Sequence, residues 1–175
     1  MRWLVLSLLL FAGQSAAAER VPDALGLMVM LKVVSYDAAF GTHGSGEFVV
    51  LVPYAPGDES KATALAAVGG GLEVKTIKER TLRFVPVPTK DLPAAKGTAV
   101  LLYFGFPPDA LKTVIEKTQR EKQYVFTFEE TSVHDGALLG VGLSNGKPQP
   151  LINIAAMRGL GADFGPVLRL ARTFQ

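Results

Sequence analysis

Only two histidines occur in this chain, and each stands near groups that chemistry could use. The stretch "FEETSVHD" sets Glu129, Glu130, His134 and Asp135 within seven positions. On a helix, Glu130 and His134 would share a face at i, i+4, a spacing that can hold a metal ion. Strand-like residues precede the stretch and a glycine follows it, so it reads as a strand end and a loop, with Asp135-Gly136 as turn chemistry. His43 and Ser45 lie in the glycine-rich "GTHGSGE". The segment before that serine is helical, whereas a nucleophile elbow follows a strand, so this stretch reads as a flexible connector. The chain has no cysteine, which removes thiol nucleophiles, disulfides and cysteine-based metal sites. Gly69–Gly71 come after a helix and before a strand, the reverse of the order in a phosphate cradle. No catalytic, cofactor-binding or metal-binding residue is assigned on this reading. A protein that binds, with no cofactor and no enzymatic activity, is the expectation.

The elements that must position these residues alternate in type. In "PDALGLMVMLKVVSYDAAFG", Leu25, Met28, Val29, Val33, Tyr36 and Phe40 fall near helical spacing, with Lys32 and Asp37 left for solvent. "EFVVLVPY" and "TAVLLYFGF" are continuous apolar runs, as expected for strands covered on both faces. "LEVKTIKE" and "RTLRFVPVP" alternate and suit strands nearer an edge. A helix starts near Asp58 or Ser60, and another spans "PPDALKTVIEKTQRE" with proline at its start and basic residues at its end. "QYVFTFEE" reads as a further strand, and Asn145-Gly146 joins a hairpin. A closing helix is expected from about Ala156 to Thr173, with Leu160, Phe164, Val167, Leu168 and Leu170 over the core. The predicted fold is a single α/β domain. It holds a mixed sheet of about six strands flanked by helices on both faces, ending in a hairpin and that closing helix.

Composition narrows the class further. Hydrophobic residues make up 49% of 175, enough for a real core. Lysine and arginine total 18 against 16 acidic residues, a net charge of +2 that argues against a nucleic-acid surface. The N-terminus has a positive start, the apolar run "WLVLSLLLF" and then Ala16-Ala17-Ala18. That is the layout of a cleaved signal peptide over residues 1–18, too short in its apolar run to span a bilayer. Residues 19–175 are then the mature domain, expected in the periplasm and not itself membrane-spanning.

The C-terminal segment "GVGLSNGKPQPLINIAAMRGLGADFGPVLRLARTF" resembles the signature of the YfiR/HmsC-like periplasmic regulators. The shared features stand here as Gly140–Leu143, Asn145-Gly146, Ile152-Asn153-Ile154, Ala155–Arg158 and Val167–Ala171. The N-terminal helix lacks the aromatic ending often found in that family, and the cysteines of some members are absent, which removes redox control. The resemblance implies a non-catalytic regulator that contacts the periplasmic domain of a membrane-bound signalling protein, a diguanylate cyclase or a sensor kinase. Restraint of a cyclase would lower cyclic-di-GMP and oppose biofilm formation.

Two groups of residues are candidates for that contact. Leu27, Met30 and Leu31 lie beyond the main stripe of the first helix and would widen its apolar face. Arg158, Arg169 and Arg172 would form the solvent side of the closing helix. Asn153 is placed to satisfy backbone groups where strand gives way to helix. A homodimer is left open, and the alternative function is a small-molecule receptor component of a transport or sensor system.

Overall fold

The computed structural model describes residues 20–175. The expected signal peptide lies outside these described residues. The elements run α1 (Asp23–Ser35), a 3-10 turn (Phe40–Thr42), β1 (Phe48–Tyr54), α2 (Glu59–Gly71), β2 (Thr76–Ile77) and β3 (Arg80–Pro88). Then come β4 (Ala99–Leu102), α3 (Pro108–Arg120), β5 (Tyr124–Thr127), α4 (Glu130–His134), β6 (Leu139–Ser144) and β7 (Lys147–Asn153). α5 (Ile154–Leu160), a second 3-10 turn (Gly165–Arg169) and β8 (Arg172–Phe174) complete the chain.

One sheet of eight strands orders them β2-β3-β1-β4-β5-β6-β7-β8. The run β3-β1-β4-β5-β6 is parallel, β2 and β7 join antiparallel, and β8 is parallel to β7. The fold is therefore the expected α/β class with a mixed sheet; its eight strands include β2, which falls within the expected "LEVKTIKE", and β8, where a helix was expected. Every residue of β4 and β5 is buried, because helices cover both faces of the central strands. Two glycines show how closely. A Cβ on Gly26 of α1 would come 2.3 Å from the Phe128 ring and 3.0 Å from Val141. One residue away on β6, a Cβ on Gly140 would meet Val133 of α4 at 2.6 Å, so α1 and α4 lie on opposite faces. The β6–β7 hairpin turns at Asn145 and Gly146, both with positive φ, as a two-residue loop of this sequence requires.

The structure corrects three expectations about these elements. The core stripe of α1 is centred on Leu27, Met30, Leu31 and Val34, at i, i+3, i+4 and i+7; of the expected stripe Val33 and Phe40 are buried, whereas Leu25, Met28 and Tyr36 are exposed. The helix is apolar nearly all round, so spacing alone could not choose which stripe faces the sheet. The closing helix stops at Leu160. Gly161 takes the left-handed conformation there, with φ of 81°, and its N–H bonds back to Arg158 and Met157 carbonyls. Pro166 then opens a 3-10 turn, and the last residues pair with β7 as a strand. Finally, "ETSVH" forms the short helix α4 in place of a loop. Its first turn carries Ser132, whose hydroxyl donates to Glu129.

Candidate functional site

The most prominent concavity among the described residues is an apolar groove of about 810 Å³ along the outer side of α1. Met28, Lys32 and Tyr36 come from the helix, Val74, Ile77 and Lys78 from the β2 region, Pro148 and Pro150 from β7, and Val167 and Leu170 from the C-terminal turn. Tyr36 is 50% exposed and Leu170 74%, an arrangement with no benefit to the folded chain itself. Pro148 and Pro150 are two residues apart, so both missing amide donors fall on one edge of β7. That edge keeps carbonyl acceptors but lacks the donors a regular ladder needs, which favours an occupant that docks through side chains. Among the described residues, Lys32 and Lys78 are the only charged ones lining the groove, and no carboxylate does. The Lys32 ammonium lies 5.0 Å from the centre of the Tyr36 ring.

At the C-terminal end of α1 the chemistry inverts. Asp37, expected in solvent, is fully buried. Its Oδ1 accepts hydrogen bonds from the N–H groups of Ala39 and Asp163, both at 2.8 Å. Its Oδ2 accepts from the Tyr124 hydroxyl at 2.6 Å, and His43 Nε2 lies 3.3 Å away. The Asp37 carbonyl accepts from Lys78 Nζ at 2.6 Å, which ties one wall of the groove to this cluster. Burial, helped by the hydrogen bond to Asp37, pushes the Tyr124 phenol far above its ordinary value. Burial also lowers His43 below its usual 6.5; the neighbouring Asp37 opposes this only in part, and Lys122 and Arg80 add to it. His43 is therefore neutral at pH 7.

The stretch read as a flexible connector is in fact pinned. Arg80 donates to the carbonyls of His43, Gly46 and Glu47 and to Thr98 Oγ1, at 2.8–2.9 Å. A single guanidinium thus replaces the regular hydrogen bonds that the loop lacks. His43 is oriented by Asp37, and among the described residues no hydrogen bond joins it to Ser45.

The remaining candidates separate. Leu27, Met30 and Leu31 are at most 2% exposed, so they form core and do not offer a contact surface, although Leu31 reaches the groove floor. Arg158, Arg169 and Arg172 are exposed but stand on three different elements, α5, the 3-10 turn and β8. Arg172 is held in a forked ion pair, with Nη2–Oε1 at 2.8 Å and Nη1–Oε2 at 3.0 Å to Glu130. That pair takes up the carboxylate paired in sequence with His134, which is 73% exposed in its side chain. Among the described residues no three histidine or acidic side chains gather as metal ligands. Asn153 performs the expected hand-off: its Oδ1 accepts from the Ala156 N–H and its Nδ2 donates to the Val133 carbonyl, each at 2.8 Å. Sequence reasoning missed Asp37 and the groove residues Met28, Tyr36 and Leu170 as functional positions. The signal for Leu170 was Gly161 and Pro166, which end the helix that would have buried it.

No family model and no curated protein matches the sequence. Among solved structures, the chain is similar to a conserved domain protein from Vibrio cholerae O1 biovar El Tor, with a TM-score of 0.51 and 17% identity. That match covers 73% of this chain and 54% of the other. It is also similar to the ABC domain in complex with L-Trp from Streptococcus pneumoniae, with a TM-score of 0.57 and 13% identity over 88% of this chain and 62% of the other. At these identities the likeness is one of fold. The chain spans between about half and three-fifths of the length of either structure. Among the described residues no helix is long and apolar enough to cross a membrane.

Proposed function

We propose that this is an exported regulatory protein that works by occupancy, docking the groove beside α1 onto the periplasmic domain of a membrane-bound signalling protein. The observation that carries the reading is the groove itself, with exposed Met28, Tyr36 and Leu170 around an apolar floor. Its two lysines, with no carboxylate among the described lining residues, favour an amphipathic helix with acidic flanks. They disfavour a second copy, since two such grooves face to face would bring four lysines into one apolar contact. Holding the partner in one state needs only a difference in affinity between its states. The resemblance of Gly140–Ala171 to the YfiR/HmsC-like regulators supports this class, and with it a diguanylate cyclase or sensor kinase as partner. The charged start and apolar run at residues 1–11 support export.

The test is a pull-down from membranes with tagged protein and with Met28→Glu and Leu170→Glu variants. Recovery of a cyclase or kinase by the wild type, lost by tenfold or more in the variants at unchanged thermal stability, is the expected result. A second reading has one observation in its favour: a groove of about 810 Å³ also falls in the size range of small-ligand sites. A co-purifying apolar anion, displaced by the same substitutions with no membrane protein captured, would establish a small-molecule receptor instead.

A further inference from the structure

A second cavity, of about 310 Å³, opens at the N-terminal ends of β1 and β4, away from the groove. It is polar, and its charges are unbalanced. Arg80, Lys96 and Lys122 border it together with Glu47 and Glu121. Both carboxylates are committed to cations that do not line it: Glu47 to Arg83 at 2.8 Å and Glu121 to Lys117 at 2.6 Å. Arg80 spends its donors on neutral oxygens. Lys122 donates to the Gly159 carbonyl at 2.8 Å, and among the described residues Lys96 makes no hydrogen bond or ion pair. The cavity therefore holds excess positive charge with ammonium donors to spare.

His43 adds the second observation. His43 lines this cavity, is 2% exposed, and has no hydrogen-bond partner at either ring nitrogen. Nε2 lies 3.3 Å from Asp37 Oδ2, and a neutral imidazole that keeps its proton on the nitrogen nearer that carboxylate presents Nδ1 as a bare acceptor. A buried acceptor without a donor is an unmet demand. The site thus asks for two things of one occupant: anionic oxygens for the lysines and a hydroxyl proton for His43.

We propose that this cavity binds hydrogen phosphate, its charged oxygens on Lys96 and Lys122 and its P–OH donated to His43 Nδ1. Hydrogen phosphate keeps a hydroxyl at neutral pH. Sulfate, of the same shape and charge, has none, and a fully ionised phosphate monoester has none either. The inference stands apart from the groove and does not depend on what docks there.

The experiment uses inorganic phosphate, sulfate and a simple alkyl phosphate at pH 7.5 and constant ionic strength. Binding is read by titration calorimetry and by the nitrogen NMR signals of His43. Saturable binding of inorganic phosphate, at least tenfold tighter than sulfate or the ester, with a shift of the Nδ1 resonance, is expected. Lys96→Gln with Lys122→Gln, both at exposed positions, should weaken it by tenfold or more while the protein stays folded. Absence of saturable phosphate binding, equal binding of sulfate, or binding unchanged in the double variant would each overturn the proposal. Binding of the ester as tightly as free phosphate would also overturn it, because it would show that the hydroxyl is not read.

Discussion

The groove beside α1 and the polar cavity below β1 and β4 lie on either side of Asp37 but follow opposite rules. In the groove, apolar side chains are left in water although the fold gains nothing from it. In the cluster behind the cavity, polar groups are taken out of water and Asp37 satisfies most of them, the two ring nitrogens of His43 being exceptions. The difference teaches where to look for function when no catalytic constellation stands out among the described residues. An exposed apolar surface points to an occupant that brings its own apolar face, and a buried polar remainder points to an occupant that supplies one specific hydrogen bond. Asp37 joins the two, since Lys78 on the groove wall and His43 at the cavity both lean on it.

The strongest way to break this comparison is to remove the joint. Asp37→Ala would strand the Tyr124 hydroxyl and the N–H groups of Ala39 and Asp163 with no acceptor. Three stranded donors in a buried cluster should cost about 3–5 kcal/mol in chemical denaturation. Tyr124→Phe removes a donor and leaves the carboxylate its other partners, so it should cost only about 1 kcal/mol. If the two variants were equally mild, Asp37 would be a bystander and the groove and cavity would be independent features.

A milder substitution separates the two regions. Gly26 faces Phe128 and Val141 with no room for a Cβ, so Gly26→Ala must lift α1 or turn the Phe128 ring. Overpacking of this kind costs about 1–3 kcal/mol. The groove is built on α1, whereas none of the residues bordering the cavity belongs to that helix. Partner capture should therefore fall in Gly26→Ala while phosphate binding by calorimetry stays unchanged. Equal loss of both would mean that α1 holds the cavity as well.

How far the sequence revealed this follows the same division. The central strands were legible because β1, β4 and β5 are apolar without alternation, and only a doubly covered strand needs that. The hairpin at Asn145-Gly146 and the cap at Asn153 were legible because each rests on local backbone chemistry. Asp37 was not legible. Its reason for burial is supplied by Tyr124 and Asp163, which are 87 and 126 residues away. The exposed side of α1 was hidden for another reason. A helix with apolar residues on every side does not show which of them meets the sheet, and Leu27, Met30 and Leu31 were assigned to the wrong side on that account. Arg172 was placed at a helix end because the closing helix was carried on to Thr173, past the αL stop at Gly161.

The smallest predicted effect tests the cavity side alone. Burial lowers the pKa of His43 below 6.5, so between that lowered value and 6.5 the unfolded chain binds more protons than the folded one. Stability must then fall as pH drops through this window and level off once the folded histidine is protonated too, with a slope of at most about 1.4 kcal/mol per pH unit. The charged and titratable groups facing the ring are Asp37, Tyr124, Arg80 and Lys122. Urea midpoints measured over that range should show the loss in the wild type and a flatter profile in His43→Gln. His134→Gln should keep the wild-type profile, because that side chain is exposed. Among the described residues the groove lining holds no histidine or carboxylate, so partner binding there should hold its affinity from pH 7.5 to 6. A wild-type slope surviving in His43→Gln would place the proton uptake elsewhere and remove the neutral His43 on which the contrast between the two regions depends.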